Sequence, residues 1–87
     1  MTERMLRLLY FAWLRERVGR GEESLALPAE VTTVAGLRAL LAARGGGFAA
    51  LAEGGSVRCA VNQDLAGPAT PIGPGDEVAF FPPVTGG

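Results

Sequence analysis

The sequence contains no histidine and no lysine, and it has a single cysteine, Cys59. Without histidine, the chain cannot form a Ser–His or Cys–His catalytic pair or an imidazole metal site. Without lysine, it has no side-chain amine that could form a Schiff base or accept a further copy of the protein in a branched chain. A single cysteine excludes an internal disulfide, and this usage is typical of a cytoplasmic protein. Few groups therefore remain for catalysis by this chain alone, and we expect no metal site.

Long hydrophobic runs are also missing. No apolar stretch approaches the roughly 20 residues of a membrane span, and no signal-peptide pattern precedes the first predicted strand. The net charge of −1 gives no indication of a nucleic-acid partner. An apolar fraction of 48% with 20% charged residues in 87 residues predicts one globular domain with a single core. We expect a cytoplasmic protein that binds neither membrane nor nucleic acid.

Apolar periodicity predicts strands and one main helix. Alternating patterns predict strands over 5–11, 22–27, 57–62 and 77–81. A very short strand is predicted at Leu65. The main helix is predicted to begin at an N-cap of Thr32 or Thr33 and to end near Arg44. Its apolar stripe comprises Val34, Leu37, Leu40 and Leu41.

Charged residues show which face of each strand points outward. Because side chains alternate along a strand, Arg7, Arg58 and Glu77 share the outer face with every second neighbour. This rule sends Phe81 outward and Phe80 inward. It leaves an outward apolar set, which we call the outer cluster: Leu9, Phe11, Ala60 and Phe81. The same alternation places Cys59 in the core, where a thiol is expected to be inert.

The order β-β-α-β-β predicts a small α+β domain. A right-handed crossover after the first hairpin would let the first and last strands pair in parallel at the sheet centre. This is the β-grasp, or ubiquitin-like, arrangement, a mixed sheet of about four to five strands with one main crossing helix. The domain is predicted to cover residues 1–81. The outer cluster would then form a contiguous patch on the uncovered face, which marks an interface.

The C-terminal segment is predicted to be an extended tail. Proline has no N–H for a sheet, so strand pairing must stop at Pro82, and the fixed φ of proline favours an extended path. Residues 82–87 can span at most about 20 Å. The tail consists of Pro82, Pro83, Val84, Thr85, Gly86 and Gly87. Its end is bare backbone and a carboxylate, a shape that suits a narrow tunnel. A frayed terminus is the alternative, but a disordered end needs no stiff Phe-Phe-Pro-Pro base.

These residues resemble the small subunits of molybdopterin synthase, a family of sulfur-carrier proteins. The resemblance covers nearly the whole chain and is most specific in the tail. The matching stretches are Leu9-Tyr10-Phe11-Ala12, Leu14-Arg15-Glu16, Thr33-Val34, Ala60-Val61-Asn62-Gln63 and Gly75-Asp76-Glu77-Val78-Ala79-Phe80-Phe81-Pro82-Pro83-Val84-Thr85-Gly86-Gly87.

The resemblance implies a mechanism centred on Gly87. An activating enzyme related to ubiquitin activators (E1-like) would join the Gly87 carboxylate to AMP, using ATP and Mg. A sulfur donor protein would convert this acyl-adenylate to a thiocarboxylate. The large synthase subunit would then accept the tail, and sulfur would pass to a cyclic pyranopterin monophosphate. The chain itself would bind no cofactor and would act as the sulfur-donating subunit, without stand-alone catalytic residues.

Three alternatives remain open on the sequence. The chain could carry sulfur for thiamine or for tRNA thiolation, although those carriers tend to lack the Leu-Arg-Glu turn and the Phe-Phe-Pro-Pro tail. It could be a ubiquitin-like modifier that is conjugated through Gly87. It could also be a β-grasp binding module without tail chemistry.

Overall fold

A five-stranded mixed sheet organises the structure, a computed structural model that describes residues 4–52 and 56–83. The strands are β1 (Met5–Tyr10), β2 (Glu22–Ala26), β3 (Arg58–Val61), β4 (Asp64–Ala66) and β5 (Glu77–Phe81). Their order in the sheet is β2-β1-β5-β3-β4. β1 and β5 pair in parallel, whereas the other neighbours are antiparallel. The predicted β-grasp arrangement, including the short strand at Leu65, is confirmed.

In the described part of the chain, two α-helices and one 3-10 helix accompany the sheet. α1 spans Trp13–Val18, α2 spans Val34–Ala42, and the 3-10 helix spans Gly46–Leu51. Thr33 caps α2, and its Oγ1 accepts a hydrogen bond of 3.3 Å from the Gly36 amide. Within residues 4–52 and 56–83, no helix is long and apolar enough to cross a membrane.

α2 ends earlier than the sequence predicted. The helix was expected to reach about Arg44, but its last residue is Ala42. The amides of Arg44 and Gly45 bond to carbonyls three residues earlier, so the last turn tightens into 3-10 geometry. Gly45 then reverses the chain at a φ of 78°, a backbone angle that favours glycine.

The core lies between the sheet and α2. It takes alternate residues from the central strands, including Leu6, Leu8, Tyr10, Val78 and Phe80, all with at most 1% of their surface exposed. From α2 it takes Val34, Leu37 and Leu41. Full burial of such a side chain stabilises the fold by about 1.5–3 kcal/mol. The predicted inward faces of β1 and β5 are therefore confirmed.

The β3–β4 hairpin is fixed to the start of β5. Asn62 and Gln63 form its turn with φ of 50° and 74°, the pattern of a two-residue hairpin. The Asn62 Nδ2 donates a 3.0 Å hydrogen bond to Asp76 Oδ1, and its Oδ1 accepts one of 3.0 Å from the Glu77 amide. These bonds help to set the register between β3 and β5.

Candidate partner-binding face and tail root

One row of apolar residues crosses the outer face of the sheet. Leu9 lies opposite Ala79, Ala79 opposite Ala60, and Ala60 opposite Leu65. These residues alternate with the buried residues Leu8, Val78 and Cys59, so they point away from the core. Four neighbouring strands thus contribute to one continuous apolar row.

Exposure differs along this row. Leu65 on the edge strand β4 has 75% of its surface exposed, whereas Ala60 has 8%, because β3 lies between β5 and β4. Ala60 nevertheless lies outside the core cluster. Leu65 was missing from the predicted outer cluster, because a three-residue strand is too short to show an alternation. Its pairing opposite Ala60 is the signal that identifies it.

Phe11 and Phe81 extend the row toward the edge at which β5 ends. The Phe11 amide donates a 3.1 Å hydrogen bond to the Phe80 carbonyl, which places Phe11 beside the end of β5. Phe11 is 47% exposed, and Phe81 is half-buried opposite Arg58. The structure therefore brings all four predicted members onto the outer face: Leu9, Phe11, Ala60 and Phe81. Their role in binding a partner stays a prediction.

The tail begins where this face ends. β5 stops at Phe81, and the half-buried Pro82 and Pro83 continue the chain outside any strand. The predictions for Val84, Thr85, Gly86 and the reactive Gly87 lie outside the described residues.

Cys59 is a core residue and not an exposed nucleophile. The side chain is 2% exposed. Burial raises the pKa of its thiol to about 11, and the nearby positive charge of Arg38 lowers it less than burial raises it. The thiol is therefore protonated at neutral pH and unreactive. The assignment of Cys59 to the core is confirmed.

We expect Cys59→Ala to retain full sulfur transfer and to lose on the order of 1 kcal/mol of unfolding free energy, because it leaves a small cavity. Urea denaturation and a reconstituted transfer assay measure the two effects. A folded variant that no longer transfers sulfur would show that Cys59 carries it.

A polar cluster closes the β2 side of the core. The Glu23 carboxylate, with 9% of its side chain exposed, accepts hydrogen bonds of 2.8 Å from the Tyr10 hydroxyl and 2.9 Å from Arg44 Nη1. Arg20 adds a contact of 3.4 Å. Burial acts to raise the pKa of Glu23, but the hydrogen bonds from Arg44 and Tyr10 outweigh it and hold that pKa below its ordinary value. The cluster orients Tyr10, whose ring stacks 6.1 Å from that of Phe80.

Glu23 is expected to make the free energy of unfolding depend on pH in the acid range. Because its pKa is lower in the folded state, it stabilises the fold above the ordinary glutamate pKa of about 4.3. This contribution disappears as the pH falls through the folded-state pKa. Glu23→Gln should therefore lose stability at pH 7 and show a flatter decline in acid than the parent. Urea melts from pH 7 to pH 3 measure it, with the exposed Glu30→Gln as control. Parallel curves for Glu23→Gln and the parent would contradict this assignment.

Known proteins match this chain along most of its length. Residues 8–87 match the ThiS family. The molybdopterin synthase sulfur carrier subunit of Escherichia coli (strain K12) is 46% identical over 95% of this chain and 100% of its own. The protein of the same name from Haemophilus influenzae is 40% identical over the same shares.

Solved structures share the fold. A putative molybdopterin converting factor subunit 1 from Pyrococcus furiosus superposes with a TM-score of 0.76 at 29% identity, over 92% of this chain and 98% of that one. SAMP1 from Haloferax volcanii gives a TM-score of 0.72 at 26% identity, over 95% of this chain and 99% of that one. The family match over residues 8–87 and the identities of 46% and 40% over 95% of the chain show that the chain belongs to the ThiS family.

Proposed function

We propose that this protein is the sulfur-carrier subunit of a molybdopterin synthase. The observation that carries the proposal is its 46% identity to the Escherichia coli sulfur carrier subunit over that protein's whole length. The family match runs to Gly87 and therefore includes the diglycine. The outer cluster beside the tail root supplies a surface for the large subunit.

The proposed chemistry takes place on the Gly87 carboxylate. An α-carboxyl group has a pKa of about 3.5, so at neutral pH it is an ionised and unreactive acyl group. An E1-like enzyme activates it with ATP and Mg, and the bond to AMP supplies a leaving group. A sulfur donor protein then supplies sulfur at the sulfide level, which forms the bond to the acyl carbon as the bond to AMP breaks, and the product is a thiocarboxylate whose sulfur is a good nucleophile. The large subunit positions this sulfur against the cyclic pyranopterin monophosphate.

In this scheme the chain itself carries the sulfur on its tail and sets the position of that tail. The buried, protonated thiol of Cys59 is unsuited to carry sulfur, which leaves the terminal carboxylate as the carrier. Pro82 and Pro83 stop sheet pairing directly after Phe81, so a partner that holds Phe81 also fixes where the tail starts. The activating enzyme and the large subunit supply the acids, bases and metal ions. We assign these steps to the cytoplasm, which suits a chain with one cysteine and no disulfide.

Whole-protein mass spectrometry tests the proposal. The chain is co-expressed with its activating enzyme and sulfur donor, and we expect the mass gain of one sulfur replacing one oxygen at Gly87. Conjugates of higher mass would instead indicate a protein modifier. This candidate is favoured by the similarity to SAMP1, the small archaeal modifier protein 1. An unchanged mass under conditions that load a known carrier would overturn both and leave a binding module.

A further inference from the structure

The turn between β1 and α1 contains an alanine in a conformation that usually requires glycine. Ala12 has a φ of 57° and a ψ of −136°, the angles of the first central position of a type II′ turn. The Leu14 amide closes this turn with a hydrogen bond of 3.2 Å to the Phe11 carbonyl. An L-residue with a Cβ is strained at these angles. The turn is therefore kept at a cost to the stability of the fold.

The fold requires a turn here, but it does not require alanine. Tyr10 at the end of β1 has 1% of its surface exposed and Leu14 on α1 has 0%, so both ends of the turn are held in the core. Glycine would take the same backbone angles without strain. Alanine differs from glycine because it allows the chain fewer conformations. What Ala12 adds to this turn is rigidity.

Both neighbours of Ala12 are exposed aromatic residues. Among the residues that the structure describes, the exposed large hydrophobic residues are Phe11 at 47%, Trp13 at 39% and Leu65 at 75%. Two of these three lie directly beside the strained alanine. Exposed aromatic surface and backbone strain both disfavour the isolated fold, and such features together are typical of a binding site.

Arg17 holds the side chain of Trp13. The guanidinium carbon lies 5.0 Å from the centre of the Trp13 ring, which is a cation–π distance. The two residues are four positions apart on α1, so they lie on the same side of that helix. Tryptophan and arginine are enriched among the residues that contribute most of the binding energy at protein interfaces. The pair therefore has the composition of an interface anchor.

The position of the turn indicates the partner. Tyr10 lies opposite Phe80, and the Phe11 amide bonds to the Phe80 carbonyl, so the parallel pairing continues and brings Phe11 beside Phe81. The Cα atom of Trp13 is at most about 7 Å from that of Phe11. A protein that receives the tail must cover Phe81, and both exposed aromatic residues are then within its reach.

We propose that Trp13 is a further anchor for the large subunit and that Ala12 is a positioning residue, which holds Phe11 and Trp13 in their binding arrangement before the subunits meet. This inference rests on the proposed function. The activating enzyme also reaches the tail, but it must release the chain after each reaction. Anchors that are rigid before binding lower the entropy cost of association and slow dissociation. They suit a lasting subunit contact better than a transient one.

Trp13→Ala tests the anchor. We expect it to weaken binding of the large subunit by at least about tenfold in titration calorimetry, with little change in melting temperature because the side chain is exposed. Trp13→Phe keeps an aromatic ring and should recover most of the affinity. Binding of Trp13→Ala within about twofold of the parent, the range of near-neutral contacts, would overturn the proposal.

Two substitutions of Ala12 test the positioning role. Ala12→Gly retains access to the turn, whereas Ala12→Val does not, because a β-branched residue is strongly disfavoured at positive φ. We expect Ala12→Gly to bind within about fivefold of the parent, the scale of a glycine's extra chain freedom, and to show lower NMR order parameters at the amides of residues 11–13. Ala12→Val should bind at least about thirtyfold more weakly, because it displaces two anchors.

Thermal melts show whether both Ala12 variants fold. Equal affinities for folded Ala12→Gly and Ala12→Val would contradict the positioning role, as would unchanged order parameters in Ala12→Gly. If Ala12→Val does not fold, Ala12→Gly and Trp13→Ala still decide the two parts of the proposal.

Sulfur loading on Gly87 separates the two possible partners. The mass gain should appear in Trp13→Ala at the rate of the parent. If this variant gains mass slowly but binds the large subunit as the parent does, the surface serves the activating enzyme and the proposal is wrong. A parent chain that gains no mass would instead refute the sulfur-carrier function, so the two failures are distinguishable.

Discussion

Deleting Gly87, or adding one residue after it, is expected to abolish sulfur transfer while leaving thermal unfolding unchanged. The transferred sulfur is proposed to sit on the terminal carbon, and one residue moves that carbon by about 3.5 Å along an extended tail. A misplacement of about 1 Å already costs roughly 100-fold in rate. The change is therefore several times larger than the reaction tolerates.

The measurement is a reconstituted synthase reaction with purified variants, followed by appearance of the sulfurated product. Thr85→Ser keeps the length of the tail and serves as the control for a general disturbance of this segment. Wild-type rates from the shortened or lengthened chains would rule out transfer from the terminus.

Phe80→Ala is expected to destabilise the fold by about 3–5 kcal/mol, the usual cost of removing a core phenylalanine. Phe80 has 0% of its surface exposed, and its ring lies 6.1 Å from that of Tyr10 in a stacked pair. Small domains have a total stability of about 5–15 kcal/mol, so this loss is a large part of it. At about 4–8 °C per kcal/mol for a domain of this size, the melting temperature should fall by roughly 20 °C.

Phe81→Ala, one position along the chain, provides the matched comparison. Phe81 is half-buried on the outer face, so its removal should change the melting temperature little. It should weaken large-subunit binding by at least about tenfold, because a central aromatic anchor contributes about 2 kcal/mol or more to an interface. Titration calorimetry and thermal melts on the pair decide the matter. If Phe80→Ala spoils binding in a stable domain and Phe81→Ala unfolds it, the functional assignment of the two faces is reversed.

The facing of β1, β3 and β5 could be predicted because it depends on neighbours in the sequence. Arg7, Arg58 and Glu77 each mark the outer side of a strand, and period-two alternation then assigns the remaining residues. The parallel pairing of β1 with β5 was also predictable, since the order of elements leaves few arrangements. Local pattern and chain order were therefore sufficient for the fold and for the outer cluster.

The environments of Glu23 and Arg38 could not be predicted in this way. Alternation from Leu25 points Glu23 inward, but its partners Tyr10 and Arg44 are 13 and 21 residues away in the chain. Arg38 lies one turn after Val34 on the inner side of α2, and its carbonyl partners belong to the 3-10 helix region. A buried charge is stable only with such partners, and no local pattern reveals them.

During synthesis on the ribosome, the strand that occupies the middle of the sheet is made last. β5 pairs with β1 on one side and β3 on the other, yet it is the last of the five strands along the chain. Before it emerges, β1–β2 and β3–β4 are two hairpins that no strand joins. Contacts between such distant segments form slowly and late. Nascent chains that stop before Glu77 lack the strand that joins the two hairpins, so the sheet can close only once the segment directly before the tail has been made.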